Sequence, residues 1–442
     1  MKSYKKDDFL ESYKKDGFYI HKDEEPLIKY IWYILPSNEQ NLSQIDNGHA
    51  LTFLQNELNE LLHSFVNGGF SYKGYILFPF GKDVSKNNIK GLKKLKEIVI
   101  SLNDKGYDFL NSINAYKNNP KKSINFASIL SSLYQDFSSI RNENVRLIKK
   151  SNCREFDSDE YKKSDLEYLK PLFELKDYAT MNLKQYLSGF YLHGSFATKD
   201  YIKGWSDVDT LAIVSKETIN NPNKLLELRK KMFYIRHFLY KIDPLQHHGS
   251  IIISEYDLQN YCNVYFPVEI FKYSKSFFRD GIENLKLRKP YQEALAKLFW
   301  FVNYFRKLKI ENKRMGSYEV KNLLHCITLF PSMYLNAKNI FIYKKFSFDI
   351  AKKDFKKKVW RVVDEASAIR RNWKGFGKMS LVSLGSRINP LIAYQLNSRL
   401  MDLFNDIAGR NNINTRYLVE NMFKLSEEAW SKVKENAKNK KL

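Results

Sequence analysis

The residues best placed to do chemistry are Gly194 and Ser195, followed after a short spacer by Asp207 and Asp209. They stand in Leu192-His-Gly-Ser-Phe-Ala-Thr-Lys-Asp-Tyr-Ile-Lys-Gly-Trp-Ser-Asp-Val-Asp-Thr-Leu-Ala-Ile-Val. An apolar run ends at Gly194-Ser195, and a short helix is expected to begin there. Such a strand-to-helix turn presents backbone N–H groups and a hydroxyl, which cradle an anion. Glycine at the turn lets the backbone approach a phosphate closely. Asp207 and Asp209 read as positions i and i+2 of a strand, so their carboxylates face one side. Two carboxylates so placed repel unless a divalent cation sits between them. Mg²⁺ (or Mn²⁺) suits the position, because it takes a few carboxylates and completes its shell with substrate phosphates.

This segment resembles the signature of the polymerase-beta-like nucleotidyltransferase superfamily, with the closest flavour in its minimal and aminoglycoside nucleotidyltransferase branches. The likeness rests on Gly194-Ser195, the spacer of about a dozen residues, the Ser206-Asp207 entry, Asp207-Val-Asp209 and the apolar exit Leu211-Ala-Ile-Val. It is close over roughly 25 residues and loose over about 100. The resemblance implies that Gly194 and Ser195 hold the β- and γ-phosphates of a nucleoside triphosphate, while Asp207 and Asp209 bind metal. An acceptor would attack the α-phosphate and pyrophosphate would leave.

The family's third carboxylate, on a later strand, has no unambiguous counterpart. Val268-Glu269-Ile270 has the apolar–acid–apolar form, which favours Glu269 as a metal ligand. Gln246-His247-His248-Gly-Ser-Ile-Ile-Ile instead places a histidine near the acid's expected position. His248 would be a general base there, since its ordinary pKa lies near working pH. Glu255 and Asp257 lie at the far end of the same strand. A centre with two carboxylates alone stays open.

Three regions are expected to position these residues. Residues 1–163 read as an N-terminal helical domain, with apolar spacing in 51–65, 89–102 and 123–149. Asp157-Ser-Asp159 lies in a polar stretch, 151–165, that reads as a linker. Residues 164–278 mix strands and helices: apolar runs at 189–193, 208–214, 251–253 and 265–271, with a long amphipathic helix over 224–240. A helix near 164–187 is expected to break at Pro171. Residues 279–442 return to helices, at 291–310, 319–337 (with Pro331 as a kink or break), 356–371, 389–407 and 419–439. The whole reads as α+β, a small mixed-sheet nucleotidyltransferase core flanked by N-terminal and C-terminal helical domains.

Composition narrows the partners. The net charge is +24, and 36 Lys and Arg against 15 Asp and Glu fall from Phe271 onward. That concentration attracts polyanions such as RNA or a phosphorylated substrate, and it would repel a cationic aminoglycoside. Arg370-Arg-Asn-Trp-Lys374 and Ala351-Lys-Lys-Asp-Phe-Lys-Lys-Lys358 carry basic and aromatic residues suited to phosphates and bases. Gly375-Phe-Gly-Lys378 lacks the spacing of a phosphate-binding P-loop. Three scattered cysteines show no metal spacing and suit a reducing compartment. No uncharged apolar run of membrane-spanning length is seen, and the polar start is unlike a signal peptide. The expected setting is cytoplasmic.

Two other functions fit the same residues. One is a non-catalytic nucleic-acid-binding or regulatory protein that keeps the fold. The other is a toxin-like enzyme that nucleotidylates tRNA or protein.

Overall fold

In a computed structural model, the described residues are 19, 47–67, 84–104, 106–140, 145–243, 246, 249–264, 266–278, 281–288, 293–312, 314–373 and 413–439. The chain is an α+β protein with two small mixed sheets.

Among the described residues, four helices come first: α1 (Asn47–Val66), α2 (Lys86–Asn103), α3 (Leu110–Ala115) and α4 (Ser123–Ser139). Helical spacing explains them. Leu54, Leu58, Leu61, Leu62 and Phe65 form one buried stripe on α1. Ser85 caps α2 by accepting from the Asn88 N–H.

The expected helix over 123–149 stops at Ser139, and 145–155 form β1 (Val145–Asn152) and β2 (Arg154–Glu155). The supposed linker therefore contributes strands. β1 is paired by β8, whose residues lie far away in sequence (Val145 opposite Arg288, Asn152 opposite Gly281), which local pattern does not reveal. The helix α5 (Leu166–Asn182) runs without a break through Pro171. Next come β3 (Leu187–His193), α6 (Gly194–Thr198), β4 (Asp209–Val214), α7 (Lys216–Ile219), α8 (Pro222–Tyr234) and α9 (Arg236–Ile242). The helix expected over 224–240 is thus two, divided at Ile235.

The remaining strands are β5 (Ile251–Ser254), β6 (Tyr261–Cys262), β7 (Lys275–Ser276) and β8 (Gly281–Arg288), with helix α10 (Glu269–Tyr273) before β7. Among the described residues, five helices follow: α11 (Glu293–Glu311), α12 (Ser317–Ala337), α13 (Lys344–Lys352), α14 (Lys357–Arg371) and α15 (Thr415–Asn439). Pro331 lies inside α12 without ending it. The helix expected over 389–407 lies outside the described residues.

The larger sheet has the order β2-β7-β3-β4-β5. β3 and β4 are antiparallel, and β4 and β5 parallel. The smaller sheet is β1-β8-β6. Side chains alternate across the larger sheet as period two requires. Phe190, Leu192, Ala212, Val214 and Ile252 join the apolar core of α1, α2, α4, α5 and α8. Tyr191, Leu211, Ile213 and Ile253 turn to the other face and meet Leu285, Ile282 and Phe271. The N-terminal helices and one face of the sheet therefore share a continuous core. α11 to α15 form a third core of their own, into which Trp205 inserts from the β3–β4 connection.

A buried ion pair ties the second sheet to this helical bundle. Arg288, at the end of β8, meets Glu293, the first residue of α11, with both side chains almost wholly buried. Arg288 also donates through Nε to Gln55 of α1. Removing one partner leaves the other charge buried. Glu293→Ala is expected to lower stability by about 3–5 kcal/mol in urea denaturation, whereas replacing both partners by apolar residues recovers most of the loss.

Candidate functional site

The antiparallel register brings the two halves of the motif together. His193 pairs with Asp209, so Gly194 lies directly beside the first residue of β4. Gly194 has a φ of 70°, in the left-handed region. A Cβ there would overlap the Asp209 Oδ2. The glycine is therefore required twice, for its backbone angle and for the Asp209 carboxylate packed on it. Ser195 follows at the half-buried start of α6. That helix is only five residues long and ends in a left-handed Lys199, so its dipole is weak.

Asp207 lies just before β4 rather than on it. Its neighbours fix it from both sides. The Ser206 Oγ accepts from the Ile202 N–H at 2.9 Å. Gln246 clasps the Val208 peptide, accepting from its N–H at 3.0 Å and donating to its carbonyl at 3.2 Å. Trp205 is fully buried and anchors the loop in the C-terminal bundle. Its ring stacks on His325 at 4.9 Å and meets Trp373 edge-on at 4.8 Å.

The bundle returns cations to the carboxylates. Lys321 and His325 are one turn apart on α12 and share a face. The Lys321 Nζ lies 2.6 Å from Asp243 and 3.8 Å from Asp207. The His325 Nε2 lies 3.2 Å from the Asp207 Oδ1. Burial works against the Lys321 ammonium, but Asp207 and Asp243 outweigh it and hold its pKa above the ordinary value. Burial lowers His325 to about 4 despite the pull of Asp207. The imidazole is therefore neutral at neutral pH, and it stands against the Asp207 carboxylate as a close polar contact.

Lys344 and Arg370 complete the ring. Both are coupled electrostatically to Asp207 and Asp209. Burial, then repulsion by Arg370, brings Lys344 down to about 8. Arg370 is 5.4 Å from the Trp205 ring, the range of a cation–π contact. Around the rim, the Tyr343 hydroxyl is 3.3 Å from Thr198 Oγ1, and Lys345 pairs with Asp200 at 3.2 Å. The arrangement offers the carboxylates of Asp207 and Asp209, a glycine-lined approach to Asp209, one buried cation in Lys321 and two half-buried ones in Lys344 and Arg370. A polyphosphate held through metal and cations matches that charge pattern.

Of the residues singled out by sequence, Gly194, Ser195, Asp207 and Asp209 come together. Glu269 opens α10 as an exposed residue instead of lying on a strand. Pro267 cannot donate to a sheet ladder, and its carbonyl accepts the Ile270 N–H to start a turn. His248 lies outside the described residues. Glu255 accepts from the Lys216 N–H at the start of α7, and buried Asp257 accepts from Ser254 and Gln55. Asp157 accepts from the Asp159 N–H in a local turn. A surface pocket of about 530 Å³ lies beside it, lined by Phe156, Asp157, Leu166, Phe173, Lys176 and Asp177, and shares no residue with the Asp207 cluster.

Sequence reasoning did not single out Asp243, Lys321, His325 or Lys344. The available signal was a Lys and a His at i, i+4 within the apolar face of α12. Comparison with protein-family models, curated proteins and solved structures returns no match. The geometry therefore carries the functional reading.

Two measurements probe this geometry. Gly194→Ala is expected to destabilise the chain by about 1–2 kcal/mol through the left-handed backbone alone, and to displace Asp209. Thermal unfolding together with tripolyphosphate binding reads both effects. Polyanion binding should weaken as pH rises through about 8, where Lys344 loses its proton. In Lys344→Arg, which stays charged, titration calorimetry between pH 7 and 9 should show a smaller decline.

Proposed function

We propose that the chain is a metal-dependent nucleotidyltransferase that moves an NMP from an NTP to a hydroxyl or phosphate acceptor. The observation that carries this reading is Asp209 packed on Gly194, with Asp207 beside it under a ring of cations. Among the described residues no group of three or more His, Cys, Asp or Glu gathers as a metal cluster. Two carboxylates nevertheless fit Mg²⁺ or Mn²⁺, which draws further oxygens from the substrate. Asp207 and Asp209 would hold that ion, and it would neutralise charge on the triphosphate.

The chain's own groups account for the rest. Lys344 and Arg370 would balance charge on phosphate oxygens where the bundle faces the sheet. His325 packs against Asp207 as a neutral imidazole. The acceptor oxygen would bond to the α-phosphorus as the bond to pyrophosphate breaks, and pyrophosphate would carry that electron pair away. The acceptor proton would pass to solvent or to a nearby base. The exposed lysines of α13 and α14 favour a polyanionic acceptor such as RNA, a tRNA end included. Among the described residues no helix is long and apolar enough to cross a membrane.

A second reading has its own support. Lys321 and His325 already engage Asp207, as they would in a non-catalytic protein that keeps the fold to bind nucleotides or RNA. Labelled NTPs, Mg²⁺ and cell extract separate the two. Asp207→Asn and Asp209→Asn are each expected to lower transfer on the order of 10²–10³-fold. If the native chain changes no NTP and labels no extract component, yet binds RNA equally well in both variants, the non-catalytic reading holds. A labelled tRNA or protein band would identify a toxin-like acceptor.

A further inference from the structure

Lys321 occupies an unusual place for a lysine. Its side chain is 2% exposed, yet it stands between two carboxylates supplied by different elements. Asp243 closes α9, and Asp207 precedes β4. Gln246 links them, because its N–H donates to the Asp243 carbonyl while its side chain clasps Val208. The backbone thus holds two buried carboxylates in one neighbourhood, with Asp209 acting on the same lysine. Carboxylates so gathered require a cation between them. In a site that handles triphosphates, that place is commonly open to a divalent ion. Here a side chain fills it.

We propose that Lys321 is a built-in counter-cation that takes the place of one divalent ion, so that the site accepts no more than a single metal, held by Asp209 with Asp207. The proposal rests on the nucleotidyltransferase reading for the role of that single ion. The placement of Lys321 between Asp207 and Asp243 stands on its own distances. An ammonium on a packed helix differs from a metal in two ways. It brings one positive charge instead of two, and it does not exchange with solvent. α12 fixes its origin, and the Trp205 ring lies 5.8 Å from its Nζ. Asp243 then acts as a positioning residue that keeps Lys321 directed at Asp207.

The test counts ions and needs no turnover. Mn²⁺ is titrated into the full chain with and without equimolar inorganic tripolyphosphate, and bound ion is counted from the loss of the free Mn²⁺ paramagnetic resonance signal. The native chain should bind at most one Mn²⁺. Lys321→Met, which leaves Asp207 and Asp243 without their ammonium, should bind one more. The pair Lys321→Met with Asp243→Asn removes the 2.6 Å ion pair as a unit and should return to the native count. Circular dichroism checks that each variant is folded. Two Mn²⁺ on the native chain would overturn the proposal, even if neither variant folds. A Lys321→Met variant that is folded but gains no ion would overturn it as well. If the native chain binds none, with or without tripolyphosphate, while Lys321→Met gains one, the counter-cation stands and the nucleotidyltransferase reading fails.

Discussion

The site depends on one constraint: acidic groups gathered at the start of β4 and the end of α9 must be neutralised from the helical bundle. Asp207 and Asp243 belong to the α+β half, and Lys321 belongs to α12. Neither half is electrically acceptable alone. Burying a carboxylate without a partner costs several kcal/mol, whereas a well-bonded pair leaves a small net balance. The ion cluster is thus better understood as a fixer of geometry than as a store of stability. Stability comes from the apolar contacts around it, including fully buried Trp205, Leu323, Leu324 and Ile327, at roughly 1.5–3 kcal/mol for each buried large aliphatic side chain.

Trp205 makes the coupling mechanical as well as electrostatic. It lies two residues before Asp207 and inserts among α12, Trp373 and Arg370. A shift of the bundle would carry the loop with it. The Gln246 clasp on Val208 opposes such movement from the sheet side. Asp207 is therefore held by two elements with different attachments, which limits the drift that a carboxylate on an unsupported loop would have.

What the sequence disclosed follows from the range of each interaction. The turn at Gly194 and the carboxylates at 207 and 209 were legible because the whole motif spans few residues. The alternation in Phe190-Tyr-Leu and Leu211-Ala-Ile-Val also spoke plainly, since period two is local. Lys321 and Lys344 were invisible as site residues because more than 100 residues separate each from Asp207, and Arg370 stood out only as part of a basic, aromatic segment. Their meaning exists only after the bundle docks. β1 failed for the same reason: its pairing to β8 crosses the middle of the chain. Glu269 failed differently. Its apolar–acid–apolar form suited a strand, but Pro267 two residues earlier favoured a turn, and the turn prevailed. Pro171 was read too strongly as a break, since α5 runs through it, and of the kink or break read at Pro331 the break does not occur, since α12 continues past it.

The cluster also changes what the basic C-terminal region means. Lys321, Lys344 and Arg370 face Asp207, Asp209 and Asp243, so near neutral pH the inner ring is close to balanced within the protein. Those cations contribute little to the field felt by a distant molecule. Among the described residues, exposed side chains on α13, α14 and the turn between them supply that field instead, among them Lys345, Lys352, Lys353, Lys356, Lys357 and Lys358. Some of these are partly offset, as Lys345 is by Asp200 and Lys352 by Asp364. Screening confines what remains to roughly 8–10 Å at physiological salt. A polyanion would thus be drawn to the outside of the bundle before it met the carboxylates. The exposed basic surface and the carboxylate cluster are adjacent but distinct, and α13 joins them: Lys344 faces the Asp207 cluster while Lys345 faces solvent.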